Sequence, residues 1–377
     1  MKMNAAIYYG PGDIRVEKVE RPNASDGFEG MGMVVKIKAC GICDNQDVPR
    51  YEQWVGDCGT GIALGHEWTG EVVEIGPKVT DVKVGDRVWG RSFVPCGKCD
   101  ECLAKNYVKC KNFIMGMTGR YLNGAFAEYM LFPFVIDNPS ILVKLPADVS
   151  YRDGALIEPT RLCLGVAEKA KVSDVVVVLG QGFRGLGTLA RLKTMGVAKV
   201  IVSDVSKKRL EKSRKLGADV IVDELNEDIV KIVMRETSGA GTGVVMDSAE
   251  DTAGVGADVV IETDGRPANF QRAIDMIRRH GTFWIAAPYK EGFMFNPSLH
   301  RPEMPGSNLY GKSGMSIRNP WGTLGDGPLH VRAMEFIRSG AITADKVVSH
   351  VFPLSNIKEA FETAMNSPDM TKVIVEP

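Results

Sequence analysis

Two rhythms of apolar and polar residues divide this chain. Up to about residue 150, apolar positions come in short runs set off by Gly and Pro. Val34-Val35-Lys36-Ile37-Lys38, Glu71-Val72-Val73-Glu74-Ile75 and Asp86-Arg87-Val88-Trp89 are examples. Runs of that length, bounded by turn residues, predict strands. From about residue 170 the pattern changes. Val175 to Leu179 is an unbroken apolar strand and Leu186 to Thr194 carries a helical period. Lys199 to Ser203, Lys207 to Leu216 and Asp219 to Val222 then read as strand, charged helix and strand. Asp258 to Glu262, a helix around Phe270 to Arg279 and a strand from Thr282 to Ala287 continue the alternation. Strands alternating with helices predict a parallel sheet with crossover helices.

Residues 288 to 328, rich in Gly, Pro, Met and Asn, predict irregular chain around one short strand, Met315 to Arg318. Helices follow at Leu329 to Ser339 and at Ser355 to Asn366, with Ser355 as N-cap. Lys372 to Val375 closes the chain as a strand. Glu236 to Gly256, with Ser-Gly-Ala-Gly-Thr-Gly, reads as an insertion centred on 243–254.

Length and composition narrow the class. The 377 residues suffice for two domains. The balance of 46 basic and 47 acidic residues gives no sign of a nucleic-acid or anionic-membrane partner. No run approaches the ~18 apolar residues of a membrane span, and the opening residues lack an apolar signal-peptide core. With eight cysteines in such a chain, metal binding is favoured over disulfides, and a cytoplasmic location is expected.

Four of those cysteines, Cys96, Cys99, Cys102 and Cys110, lie in the single stretch CGKCDECLAKNYVKC. Four soft thiolates at this spacing suit a closed, tetrahedral structural zinc.

Val176-Val177-Val178-Leu179 leads into Gly180-Gln181-Gly182-Phe183-Arg184-Gly185, and a helical pattern follows. Strand, glycine loop and helix are the context in which GxGxxG binds a dinucleotide. Gly180 would make the tight turn, Gly182 would admit the pyrophosphate, and Gly185 would let helix and strand close together. Asp204, 22 residues after Gly182, would accept hydrogen bonds from the ribose hydroxyls and repel a 2′-phosphate, which favours NAD over NADP. Lys207, Lys208 and Arg209 follow it, either as a solvated helix face or, Arg209 foremost, as cations beside the cofactor.

A second candidate cluster is dispersed. Cys40-Gly41-Ile42-Cys43, Gly65-His66-Glu67 and Glu158-Pro159 supply a thiol, an imidazole and carboxylates. Together they could make an open zinc site, with three firm ligands and one exchangeable position. Singly, each has a plainer reading: a buried apolar cysteine, a surface pair and a helix start. His280, His300, His330 and His350 have no motif around them and read as surface or hydrogen-bonded histidines. Cys163 reads as core. Trp54 and Trp68 lie near the presumed ligands, and Met294, Met304 and Met315 fall in the loop-rich stretch.

Gly65-His66-Glu67-Trp68-Thr69-Gly70, with Gly76 and Val79, resembles the zinc signature of the medium-chain dehydrogenase/reductase (alcohol dehydrogenase) family. The CGIC stretch, the four-cysteine lobe, the Glu-Pro and the GQGFRG loop occur in that family's order. Glu158, where a cysteine would stand in other branches, leans toward the polyol, butanediol, threonine and glucose dehydrogenase side. The resemblance implies an α/β chain: a GroES-like β-rich catalytic domain, residues 1–159 completed by 319–377, and a Rossmann doubly wound parallel-sheet domain, residues 160–318. It implies a catalytic zinc held by Cys43, His66 and either Glu67 or Glu158, and a structural zinc on the four cysteines, two per chain. Cys40 is then a packing residue. The implied activity is zinc-dependent, NAD-linked interconversion of a secondary alcohol and its ketone by a homodimer or homotetramer.

After the catalytic cysteine the family carries a Ser or Thr that passes the alcohol proton outward. This chain has Cys43-Asp44-Asn45-Gln46-Asp47. Asn45 lacks a hydroxyl relay, and Gln46 stands where a supporting carboxylate is usual. Either Asp47 is shifted inward or a water serves. That departure keeps two alternatives open: a sugar (glucose-type) or hydroxyacyl-CoA dehydrogenase on the same scaffold, and a non-catalytic NAD(H)-binding protein.

Overall fold

A computed structural model gives the fold of residues 1–53, 59–112, 116–135, 141–238, 255–287, 304–306, 315–318 and 329–377. The 243–254 segment, Trp54, Cys58, Met294 and His300 lie outside the described residues. The chain forms two compact units, Met1–Arg161 with Gly325–Pro377, and Leu162–Leu324. Among the described residues no helix is long and apolar enough to cross a membrane.

The first unit is β-rich. Its larger sheet runs, in spatial order, His350–Pro353, Val373–Glu376, Met33–Gly41, Glu67–Ile75, Arg87–Gly90 and Leu142–Lys144, and Tyr129–Phe132 also pairs with Met33–Gly41. Antiparallel neighbours dominate, so one face can bury Met33, Val35, Ile37, Trp68, Val72, Phe126 and Phe132 while polar residues alternate outward. The C-terminal segment belongs to this sheet: Ile374 lies opposite Gly41 and Val375 opposite Cys40.

The second unit is the doubly wound part. Its sheet has the order Val220–Asp223, Lys199–Asp204, Val175–Leu179, Ala257–Glu262, Ile277–Ile285, Met315–Arg318, Met304–Gly306. All neighbours are parallel except the last pair. Val176 to Leu179 are completely buried, the consequence of helices covering both faces of a central strand. The strand order reverses between Val175–Leu179 and Ala257–Glu262, and such a reversal opens a ligand crevice at the carboxyl ends of the strands.

Two local expectations are corrected. The helix near 270 spans Pro267–Met276, and the strand expected from Thr282 begins at Ile277. Ile277, 1 % exposed, pairs with Ala257, so burial in the sheet overrides the helical pattern. The C-terminal helix is Ile357–Asn366, capped by Asn356 and not Ser355, because a 3₁₀ turn takes up Leu354–Asn356. The short strand expected at Met315–Arg318 is present and pairs with Ile277–Ile285 on one side and Met304–Gly306 on the other.

Candidate active site

Sheet register assembles one cluster. Strand Met33–Gly41 runs antiparallel to Glu67–Ile75 with Gly41 opposite Glu67. Cys43, two residues past its strand, therefore arrives beside His66 and Glu67 at the start of the neighbouring strand. One ligand atom from each of Cys43, His66 and Glu67 lies within 4.8 Å of the others, and all three residues are buried. A thiol, an imidazole and a carboxylate converging in a dry site form a donor set that suits zinc.

The surroundings orient these groups. Asp47, completely buried at the start of helix Asp47–Glu52, accepts a hydrogen bond from the Cys43 amide at 3.0 Å. Its other oxygen lies 3.5 Å from His66 Nδ1 and 3.9 Å from Arg50 Nη1. A carboxylate against one ring nitrogen of a histidine leaves the other to face a metal. Asp47 thus takes the inward position that Gln46 vacates. Burial opposes a charge on His66, but Asp47 and Cys43 outweigh it and hold the imidazole well above its ordinary pKa. Burial likewise opposes ionisation of Asp47, yet His66 and the Cys43 amide hold it below the usual carboxylate range. Burial pushes the Cys43 thiol up, a state that a bound cation reverses.

Each glutamate has its own cation. Strand Val373–Glu376 lies on the far side of Met33–Gly41, which places Lys372 so that its Nζ donates to the Ile42 carbonyl at 2.9 Å and forms an ion pair with Glu67. Burial raises Glu67 while Lys372 pulls it down, and the net shift is upward. For Glu158 burial acts upward, but Arg161, three residues on along the same helix and 2.7 Å away, holds it low. Glu158 stands outside the three-residue ligand group but close enough to feel His66 and Lys372. Asn45, half-buried, keeps a buried side-chain nitrogen that no hydrogen bond reaches.

The four cysteines form a second cluster. The ligand atoms of Cys96, Cys99, Cys102 and Cys110 also lie within 4.8 Å of one another. The short helix Asp100–Leu103 starts from Cys99, and the backbone amides of Cys96 and Asn112 both point at Cys110 Sγ at 3.4 Å. Despite partial burial, Asn112 and neighbouring amides bring Cys96 down to about 6, whereas burial and the neighbouring thiols push Cys102 up to about 12. Four thiols that differ this widely without a cation become uniformly thiolate only around one.

In the second unit the glycine loop has the geometry a pyrophosphate needs. Gly180 has φ +86°, and a side chain there would strike Asp264. A Cβ on Gly185 would lie 1.9 Å from the Gly180 carbonyl, whereas one on Gly182 would meet open space. Gly182 caps helix Phe183–Thr194 without a side-chain bond, so the first-turn amides remain available to an anion. Asp204 ends its strand and accepts from the Gln181 amide at 2.6 Å and the Ser206 amide at 2.8 Å, with Arg209 Nη1 3.5 Å away. Gln181 and Ser206 therefore hold Asp204 against the loop, and spare lone pairs remain for a ribose.

Four residues escaped the motif reading. Arg161 was detectable, since an Arg three residues after a helical Glu makes a pair. Lys372, Arg91 and His330 were not, because only tertiary structure brings them near. His330 also corrects an expectation: it is neither at the surface nor hydrogen-bonded. It is 2 % exposed, and both ring nitrogens lack a partner among the described residues.

Comparison with known proteins agrees with this geometry. Residues 30–146 match the alcohol dehydrogenase GroES-like domain and residues 185–319 the zinc-binding dehydrogenase family. The chain is 30% identical over 354 residues to D-arabitol-phosphate dehydrogenase from Enterococcus avium, covering 91% of this chain and 89% of that protein. It is 27% identical over 402 residues to erythritol/L-threitol dehydrogenase from Mycolicibacterium smegmatis, covering 100% and 98%. Among solved structures, 2R,3R-butanediol dehydrogenase from Bacillus subtilis superposes with a TM-score of 0.78 at 26% identity, covering 100% of this chain and 99% of that one. With the two metal-ligand clusters and the glycine loop in place, this chain belongs to the zinc-type medium-chain alcohol dehydrogenase family, whose members use a nicotinamide cofactor to interconvert secondary alcohols and ketones.

Proposed function

We propose that this chain is a polyol dehydrogenase that binds two zinc ions and prefers NAD to NADP. The observation that carries the reading is the buried Cys43–His66–Glu67 group in a chain that also holds a separate four-cysteine cluster. Cys43, His66 and Glu67 would hold one zinc, with Glu158 as the alternative carboxylate. Cys96, Cys99, Cys102 and Cys110 would hold the other. When bound at Cys43, His66 and Glu67, zinc would supply Lewis-acid polarisation of the substrate hydroxyl.

The chain's own residues do the rest. Asp47, whose oxygen approaches His66 Nδ1 to 3.5 Å, would set the tautomer of the ring. Lys372 restrains Glu67, and Arg161 restrains Glu158, so neither buried carboxylate is left unpaired. Asn45 offers its side-chain amide as a hydrogen-bond donor where the family has a hydroxyl, so proton release passes through water. Gly182 and the amides of helix Phe183–Thr194 seat the pyrophosphate. Asp204 faces the ribose and disfavours a 2′-phosphate, with Arg209 beside it. The relatives act, by name, on polyols, a polyol phosphate and a diol, and polyols are the substrate class proposed here. The assembly proposed is a homodimer or homotetramer.

The test is zinc content per chain in wild type and Cys43→Ala side by side. Two ions falling to one supports the assignment. One ion in both proteins removes the catalytic metal and the mechanism with it.

A further inference from the structure

Beyond the metal ligands, the first unit buries a second group of polar side chains that the reaction above does not use. Arg91 follows strand Arg87–Gly90 and is 7 % exposed. Among the described residues its guanidinium makes no hydrogen bond and no ion pair. Arg161 spends one nitrogen on Glu158, and its Nε is buried without a partner. His330 stacks on Trp89 with ring centroids 4.6 Å apart, and neither of its nitrogens is satisfied. Buried polar atoms in folded proteins are almost always paired. Here Arg161 and His330 share the exception, and Arg91 is a third buried cation in the same electrostatic neighbourhood.

The electrostatics tie them together. Burial first, then the like charge of Arg161, lowers Arg91 to about 10, and only Glu158 acts the other way. Burial, then Arg161 and Arg91, holds His330 well below its ordinary value, so it stays neutral. Two guanidinium charges therefore face one carboxylate, and a positive charge is left over. A buried uncompensated charge is costly to keep. It is retained economically where a ligand of opposite sign completes it. Guanidinium forks, with an imidazole N–H beside them, match an oxyanion with several acceptor oxygens.

The position decides what the oxyanion belongs to. Glu158 lies between this group and the metal-ligand cluster, since it pairs with Arg161 and feels His66 and Lys372. An anion held here would share Glu158 as a neighbour with a hydroxyl at Cys43, His66 and Glu67.

We propose that Arg91, Arg161 and His330 form an anion subsite, and that the substrate is a polyol carrying a terminal oxyanion, a phosphomonoester or a carboxylate. Two arginines favour the phosphomonoester, which has more acceptor oxygens and more charge. The subsite rests on the dehydrogenase reading for its substrate but not for its existence, and the experiment separates the two.

The first arm uses zinc-loaded enzyme and NAD with four- to six-carbon polyols, each supplied as the free polyol, the terminal phosphate and the aldonate. The expected result is that a charged form of the best carbon chain exceeds the free polyol in kcat/KM by ~100-fold, mainly through KM. Arg91→Met should cut that ratio by ~10- to 100-fold, the range of a charge-assisted hydrogen bond. Arg91→Lys should keep part of it. Zinc content and melting temperature establish that each variant is folded. The second arm is calorimetric binding of inorganic phosphate to the zinc-loaded protein without substrate. Wild type should bind it and Arg91→Met should bind it at least ~10-fold more weakly. A free polyol preferred over both charged forms, or a ratio unmoved in Arg91→Met, overturns the subsite and leaves the dehydrogenase reading intact. Turnover of no substrate with phosphate binding present overturns the dehydrogenase reading and upholds the subsite. Phosphate binding that NADH displaces also overturns the subsite, because the anion would then occupy the cofactor's place.

Discussion

Asp47→Asn is the most searching test of how the metal-ligand group is held. Asp47 is completely buried, and its two oxygens are divided between the Cys43 amide at 3.0 Å and the approach to His66 Nδ1 at 3.5 Å. The substitution keeps size and shape. It leaves one oxygen for the Cys43 amide, and a neutral NH₂ replaces the oxygen facing His66. The ring loses the acceptor that sets its tautomer and the charge that raises its basicity. A hydrogen bond to a charged group contributes ~1.5–3 kcal/mol. Removing the outer partner of a metal-bound histidine typically lowers metal affinity by ~10- to 100-fold, equivalent to ~1.4–2.7 kcal/mol. The two routes agree, so zinc at Cys43, His66 and Glu67 should weaken by ~10- to 100-fold. The assay is competition for zinc against a chelator of known affinity, resolved into a first and a second ion released per chain. The four-cysteine ion should be held as in wild type. If both ions bind Asp47→Asn as tightly as they bind wild type, Asp47 does not orient His66 and the reasoning fails.

Other expectations follow from single observations. In metal-free protein, burial opposes the charge on His66 but Asp47 raises its pKa well above the ordinary value. Its stabilisation is complete below pH ~6.5 and is lost as pH rises through the folded value. Asp47, held low, has the opposite sign: its contribution is present above pH ~3.9 and is lost as pH falls through its folded value. The melting temperature of metal-free protein should decline on both sides, and zinc, which needs neutral His66, should remove the alkaline decline; an unchanged alkaline limb would count against the site. Gly185→Ala places a methyl 1.9 Å from the Gly180 carbonyl, so it should cost ~1–3 kcal/mol in denaturant titration and weaken NADH in fluorescence titration. Gly182→Ala meets open space, so it should weaken NADH without moving the melting temperature. Cys102→Ser should lose one zinc per chain and lower the melting temperature while the ion at Cys43 remains, as metal analysis on the purified variant would read.

The legible parts of the fold were those in which one segment contains its own reason. Val175 to Leu179 is apolar at every position because both faces are covered, and that can be read without knowing what covers them. The glycine spacing is equally local: the close approach of Gly185 to Gly180 is set within one turn of chain. Cys96 to Cys110 span fifteen residues, and the four ligand atoms converge to within 4.8 Å of one another inside that one stretch. The strand at Ile277 was misread for the complementary reason. Its neighbour, Ala257, is distant in sequence, and the helical period of Phe270 to Arg279 carries no trace of it.

The site was legible as a set of ligands and illegible as an electrostatic object. Burying a carboxylate requires a cation or hydrogen bonds nearby, so Asp47, Glu67 and Glu158 each imply a partner as soon as they are placed inside. The identity of the partner depends on distance along the chain. Arg161 pairs with Glu158 across a single helical turn and could be anticipated. Asp47 and His66 meet because a helix starts at Asp47 just after strand Met33–Gly41 ends, a geometry that the residue spacing alone left as one option of two. Lys372 reaches Glu67 only because Val373–Glu376 adds to the same sheet from the C-terminal end, and no local pattern encodes that. Arg91 and His330 form the limiting case. A lone Arg after a strand and a lone His at a helix start look like surface residues until the fold withdraws them from water. It is the failure of both His330 ring nitrogens to find partners among the described residues, beside two guanidinium groups, that distinguishes this group from ordinary packing.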